Sequence, residues 1–177
     1  DLVLYSTPPI TFEKIINYIK LRDNAKTYLL LKDIFPQNAV DLNMFSKSSI
    51  IYKYFRRKEK RLYHVSDHIG CMSQANVNFV LKDNPEIPEE KVEINPNSIY
   101  PLSIEKDEQL IRKIRDKYNI PIDKTVFIYG GNLGKPQGID FLIKCLEANN
   151  ENEEVYFVIA GSGTEFTKLK TYFETKQ

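Results

Sequence analysis

Short apolar runs alternate with stretches of helical period along nearly the whole chain, and that alternation leaves few folds open. Leu2 to Tyr5 is apolar and stops at Ser6-Thr7-Pro8-Pro9, as a strand ending in an abrupt loop does. Thr11 is placed to cap a helix in which Phe12, Ile15, Ile16 and Ile19 recur on one face. Tyr28 to Leu31 is short and continuously apolar, the pattern of a strand buried on both faces, and a loop with Pro36 and Asn38 follows. A helix is expected from about Ser49 to His64 and a strand near Ile69 to Met72. A helix capped by Ser73 then runs to about Leu81, and a short strand is expected at Val92 to Ile94.

Residues Asn95 to Pro101 have prolines and asparagines but no helical period, so they read as a linker. Beyond it the alternation resumes. A helix is expected from Glu105 to Tyr118 and a strand from Thr125 to Tyr129. A glycine loop then leads to a helix with Ile139, Leu142, Ile143 and Leu146 on one face. The strand Val155 to Ala160, a second glycine loop and a helix from about Thr164 complete the chain. Strands alternating with amphipathic helices imply parallel α/β sheets on both sides of the linker. Each side supplies few strands for an open sheet, so both read as parts of larger domains, and the chain as an internal piece of something longer.

Composition closes off other classes. Hydrophobic residues make up 42% and charged residues 28% of the 177, which excludes disordered and fibrous chains. No apolar run is long enough to span a bilayer as a helix, and nothing near Asp1 has the zones of a signal peptide. A formal net charge of +1 excludes a globally basic nucleic-acid binder. Cys71 and Cys145 lie in apolar runs and read as buried small hydrophobes of a reducing compartment. Glycine is the uneven component: of 7, all but Gly70 fall between Gly130 and Gly163. Glycine placed in two loops, not scattered, points at a site.

The first loop, Gly130-Gly131-Asn132-Leu133-Gly134-Lys135-Pro136-Gln137-Gly138, joins a strand to a helix. Pro136 suits the first turn of that helix. Free N–H groups at a helix start, glycines without side chains and one lysine suit a phosphate; a tight turn with a surface lysine explains the same residues. The spacing fails a Walker A loop: the gap from Gly130 to Gly134-Lys135 is too short, and Pro136 stands where Ser or Thr would hold magnesium. It also fails the dinucleotide fingerprint, since Gly131 and Gly134 have the wrong gap and Phe166 follows Gly161-Ser162-Gly163 where a glycine is required. The second loop, Gly161 to Glu165, again joins strand to helix. Two such loops at the carboxyl ends of neighbouring parallel strands lie where α/β sheets bind ligands.

Gly-Gly-Asn-Leu-Gly-Lys-Pro-Gln-Gly from Gly130, followed by Ile159-Ala-Gly-Ser-Gly, resembles the donor side of retaining GT-B glycosyltransferases, a class with many capsule and O-antigen enzymes. The earlier landmarks agree in order: Tyr5-Ser-Thr-Pro-Pro-Ile-Thr, Lys32-Asp-Ile-Phe-Pro-Gln, Ser66-Asp-His-Ile-Gly-Cys-Met-Ser and Ile94-Asn-Pro-Asn-Ser, with Ser98 where the family usually has glycine. The resemblance covers essentially the whole chain. It implies parts of two Rossmann-like parallel-sheet domains in a GT-B arrangement. Residues 1–100 would be the C-terminal part of an acceptor-side domain, and residues 101–177 the N-terminal part of a domain binding a nucleotide-sugar donor.

By this resemblance Gly131, Asn132, Gly134, Gln137, Gly138, Gly161 and Gly163 bind the donor, with Lys135 neutralising the diphosphate as it leaves. Thr7, Pro8 and Lys32 lie on the acceptor side, and Asp33 faces the sugar or the acceptor hydroxyl; a solvated turn-capping role accounts for Asp33 equally well. The donor is expected to be UDP-linked, with no metal and no further cofactor. Two departures from the family stand out: Lys32, where many relatives have histidine before the aspartate, and the absence of the donor-binding glutamate pair found later in the domain. A fragment of this extent is expected to be inactive alone. Two other classes fit parts of the pattern: a non-catalytic nucleotide-sugar-binding or membrane-docking module, and a GT-B-fold sugar-nucleotide epimerase.

Between Phe45 and His64 lie Lys47, Lys53, Arg56, Arg57, Lys58, Lys60 and Arg61, against Glu59 alone. With Ile50, Ile51, Tyr54, Phe55 and Leu62 as an apolar face, this is the pattern of a helix on anionic lipid, and equally of a solvated outer helix. The resemblance favours lipid, because acceptors in such pathways are lipid-linked. It implies a cytoplasmic protein peripheral to the inner face of the membrane, with Lys53, Arg56, Arg57, Lys60 and Arg61 as membrane contacts and no nucleic-acid partner. His64 and His68 lack further ligands for a metal site, and Asp67 reads as a turn residue.

Overall fold

The computed structural model describes residues 1–103 and 105–175, which divide into two compact units, Asp1–Tyr100 and Pro101–Gln177. Both are α/β with parallel strands only, as the alternation requires. Residues 176 and 177, at the end of the expected donor domain, lie outside the described residues.

The first unit runs β1 (Leu2–Ser6), α1 (Glu13–Asp23), β2 (Lys26–Leu31), α2 (Gln37–Asp41), α3 (Ile50–Val65), β3 (His68–Cys71), α4 (Gln74–Asp83) and β4 (Val92–Ile94). Its strands pair in chain order, β1-β2-β3-β4. Successive right-handed crossovers in one direction put the helices on one face. Accordingly Ile16 of α1, Leu62 and Tyr63 of α3, and Val77 and Val80 of α4 pack with Leu29, Leu31, Ile69 and Cys71 in one core. On the opposite face Leu2 and Leu4 are exposed, and Tyr28 lies across the sheet. Its hydroxyl donates to Glu93 (2.7 Å) and accepts from Asn95 Nδ2 (2.9 Å). A Cβ at Gly70 would meet that hydroxyl at 2.5 Å, so this early glycine makes room for the ring.

Three boundaries differ from the sequence reading. Thr11 does not cap α1: Phe12 precedes the helix in an already helical conformation, so the chain enters from a turn and no side chain reaches back. The stretch around Pro36 and Asn38 contains the short helix α2 instead of only a loop. Ser49 and Ser73 do cap α3 and α4, accepting from Tyr52 N–H (3.1 Å) and Asn76 N–H (3.3 Å).

The second unit runs α5 (Glu108–Lys117), β5 (Thr125–Asn132), α6 (Ile139–Ala148), β6 (Val155–Ser162) and α7 (Phe166–Thr175). The first helix starts later than Glu105 because Asp107 caps it, accepting from the N–H groups of Gln109 and Leu110. Leu133, Ile139, Leu146 and Leu169 form the core, with Phe157 and Ile159 of β6 packed against it. Cys71 is buried, Cys145 partly so, and both are free thiols; burial pushes the Cys71 thiol up to about 11.

Candidate functional site

The glycine segments are strand ends before they are loops. β5 continues through Gly130 and Gly131 to Asn132, and β6 through Gly161 to Ser162, with Gly131 opposite Gly161 in the parallel register. A Cβ on Gly161 would fall on the carbonyl oxygen of Gly131, so only glycine permits this approach of the two backbones. Gly163 is equally closed in: its Cβ would lie 2.5 Å from the carbonyl carbon of Leu133. Gly130 and Gly131 are different, since nothing lies within 4 Å of a Cβ at either. The pair of strands is therefore tight between the two ends and open beyond Gly130 and Gly131.

Leu133 joins these ends. It is 1% exposed, its N–H donates to Ser162 (2.8 Å), and its carbonyl accepts from Glu165 N–H (2.8 Å). The Tyr129 hydroxyl donates to the carbonyl of Asn132 (2.9 Å). Neither residue was singled out from sequence. The signal for Leu133 was available: a lone apolar residue among glycines and polar residues has to be buried somewhere.

Pro136 is not in the first turn of α6. It sits in a separate 3-10 turn, Lys135–Gln137, which Gly138 ends with a positive φ of 66° before α6 begins at Ile139. That turn occupies the N–H groups of Gln137 and Gly138 on the carbonyls of Gly134 and Lys135. Asp140 in the first turn of α6 pairs with Lys168, whose hydrogen bond holds the Asp140 carboxyl below the usual range. Its negative charge already opposes the positive helix end, so α6 alone is a poor anion site. Positive charge at this end comes from Lys135, which is exposed. Asn132 and Gln137 project beside it and enclose Gly134, whose Cβ would meet Gln137 Oε1 at 2.9 Å and Asn132 Nδ2 at 3.0 Å. Gly161 also lines a small apolar hollow of about 280 Å³ with Ile159, Phe166 and Leu169. A larger hollow, about 630 Å³ with Asn152 and Tyr156 on its wall, opens at the amino-terminal end of β6, away from the glycines.

In the first unit the carboxyl ends of β1 and β2 bring Thr7, Pro8, Lys32 and Asp33 together. Thr7 is 1% exposed and its hydroxyl is engaged with the Asp33 backbone, donating to the carbonyl (3.1 Å) and accepting from the N–H (3.3 Å). Thr7 thus positions this corner, while Pro8 and the side chains of Lys32 and Asp33 are exposed. Asp67 is more than a turn residue. Burial pushes its carboxyl up, but hydrogen bonds from Lys20 (2.8 Å) and from the N–H and hydroxyl of Thr27 (2.8 and 2.9 Å) outweigh that and bring it to about 2.

The basic helix α3 divides its cations between two faces. Arg56 is turned inward: its guanidinium meets Glu59 at 2.5 Å and donates to the Asp83 carbonyl and to Asn84 Oδ1, both at 2.7 Å. Lys58 is bound to Glu13 at 2.5 Å. Burial raises the Glu59 carboxyl, opposed by Arg56 and by the Tyr63 hydroxyl donating at 2.8 Å. Lys53, Arg57, Lys60 and Arg61 face outward, along a groove of about 850 Å³ between α3 and residues 86–91. Among the described residues no group of three or more His, Cys, Asp or Glu is placed to hold a metal ion. No helix among them is long and apolar enough to cross a membrane.

Residues 111–177, all in the second unit, match the family model described as glycosyl transferases group 1. Over 178 positions the chain is also 26% identical to a probable glycosyltransferase WbjE of Pseudomonas aeruginosa, an alignment that takes in 97% of this chain and 42% of that protein. The chain therefore spans less than half the length of this relative.

Proposed function

We propose that the chain is part of a retaining glycosyltransferase, with residues 101–177 binding a nucleotide-diphosphate sugar, UDP-linked, and residues 1–100 serving the acceptor. The observation that carries this reading is the pair of glycine strand ends with open space at Gly130 and Gly131, beside Lys135, inside the segment matching group 1 glycosyl transferases. Parallel α/β sheets bind ligands at this end of their strands, and a diphosphate needs backbone it can approach and a cation it can meet.

In the proposed reaction the bond between the hexosyl anomeric carbon and the diphosphate breaks. An acceptor hydroxyl forms the new bond on the same face of the sugar, and its proton goes to the leaving diphosphate. Lys135 offsets the negative charge growing on that diphosphate, an effect confined to the later part of the step and hence catalytic. Asp33, fixed through its backbone by Thr7, faces the sugar or the acceptor. The acceptor is a lipid-linked glycan precursor of the cell surface. The printed name of the relative, a probable glycosyltransferase, agrees with the reaction class.

The test is titration calorimetry of the 177-residue chain with UDP. Binding that weakens at least tenfold in Lys135→Ala supports the reading, and unchanged affinity overturns the role of Lys135. No binding of UDP or of other nucleoside diphosphates overturns the donor reading of this unit.

A further inference from the structure

We infer that α3 docks the first unit on an anionic lipid surface through a two-part outward face, an aliphatic first turn followed by a cationic stretch. This rests on the membrane-facing acceptor in the proposed function and specifies the surface that meets it. Residues 50, 54, 57, 61 and 64 follow one another along the same side of a helix. The first of these are Ile50, 86% exposed, and Tyr54, 53% exposed, with Ile51, 55% exposed, on their flank. The same side continues with Arg57 and Arg61, bordered by Lys53 and Lys60. The inward side of the helix is complete without them: Phe55, Leu62 and Tyr63 pack in or against the core, and Arg56 and Lys58 are held by Glu59 and Glu13. Ile50 and Ile51 therefore contribute nothing visible to the fold.

The chemistry selects the occupant. Lys91 adds a further cation to the groove beside α3, and burial together with the neighbouring charge of Lys20 lowers the pKa of its ammonium. Glu86, already held by Lys60 at 2.8 Å, is the one carboxylate lining that groove among the described residues. A polyanion with hydrogen-bonding bases would leave the two isoleucines in water. A bilayer surface offers phosphates for the arginines and lysines and acyl chains for the isoleucines one turn away.

Co-sedimentation of the whole chain with vesicles tests this. Binding to vesicles of phosphatidylcholine with roughly one-third phosphatidylglycerol is expected to be strong at low salt and to fall as salt rises. The triple substitution Lys53→Gln, Arg57→Gln, Arg61→Gln should weaken it about fivefold per charge, roughly a hundredfold together. Ile50→Ser with Ile51→Ser should weaken it by about tenfold. These residues are exposed, and melting curves matching the parent confirm that the variants fold. The chain has 0 tryptophans, so Tyr54→Trp gives a clean reporter whose emission should shift to the blue on anionic vesicles. Equal binding to pure phosphatidylcholine, an unshifted tryptophan, or tighter binding to RNA than to vesicles each overturns the inference. UDP titration of the same samples reads the other unit, so failure of the donor reading is seen separately.

Discussion

The hydroxyl of Thr7 and the backbone of Asp33 hold each other across two strands, one bond given and one received. Thr7 is thus the fixed point that sets where Asp33 projects at the carboxyl ends of β1 and β2. Thr7→Val keeps the shape but removes both bonds and leaves the N–H and C=O of Asp33 without that partner. A loss of about 1–2 kcal/mol is expected in urea unfolding. Thr7→Ser, which keeps the hydroxyl, should recover most of it. Equal losses in the two variants would mean that the methyl group, not the hydroxyl, matters here.

Arg56 and Arg57 are neighbours in sequence and opposites in the fold. Arg56→Ala leaves Glu59, whose side chain is 5% exposed, without its cation, and breaking such a buried pair costs about 2–4 kcal/mol. Arg57→Ala should fall within about 0.5 kcal/mol of the parent. The Arg56→Ala deficit has a pH signature. Burial already raises the Glu59 carboxyl, and losing Arg56 raises it further. An acid with a raised folded pKa gains relative stability as pH falls toward its unfolded value of ~4.3. The deficit should therefore be smaller at pH 5 than at pH 8; a constant deficit would assign the loss to packing.

Much of this was legible from the chain because apolar periodicity reports directly on burial. The strands, the helices and the linker near residue 100 all follow from it. The inward turn of Arg56 was within reach as well: residues 56, 59 and 63 share a helix side that also carries the buried Tyr63, which places Arg56 inward. What the sequence hid depends on backbone pairing. Nothing in Gly130-Gly131 or Gly161-Ser162 distinguishes a loop from the last pair of a parallel ladder, because glycine is permitted in both. The cap of α1 was misplaced for a related reason: Thr11 has the right side chain, but Phe12 after it is already helical. The Asp67 network joins residues from three elements, and no local pattern announces such a meeting.

Asp67 couples the fold to acid. Its carboxyl is held at about 2, against ~3.9 for an unfolded aspartate. A depressed folded pKa contributes stability that is fully present above the unfolded value and is lost as pH falls through the folded one. Unfolding midpoints of the parent should therefore drop between about pH 4 and pH 2. Asp67→Asn should start about 1–2 kcal/mol lower at pH 7 and show a shallower decline in that window, since this side chain is partly exposed and screened. Parallel pH profiles for the two proteins would remove Asp67 from the account.

The glycines at the ends of β5 and β6 separate into those the fold needs and those it leaves free. In Gly161→Ala the new methyl falls on the Gly131 carbonyl, which is backbone and cannot swing aside, so the strands must part at the register pair that closes the sheet. A loss of about 2–4 kcal/mol is expected, carried by the second unit and visible as faster amide exchange in β5 and β6. In Gly130→Ala the methyl meets nothing, and stability should stay within about 0.5 kcal/mol of the parent. Gly131→Ala falls between them: its space is open, but its φ of 152° is one that L-residues rarely adopt, a strain of about 1–2 kcal/mol. If the open space is where a diphosphate approaches, Gly130→Ala should weaken UDP binding in a protein whose melting curve is unchanged. Gly161→Ala with parental stability would show instead that the two strand ends do not meet as closely as their register implies.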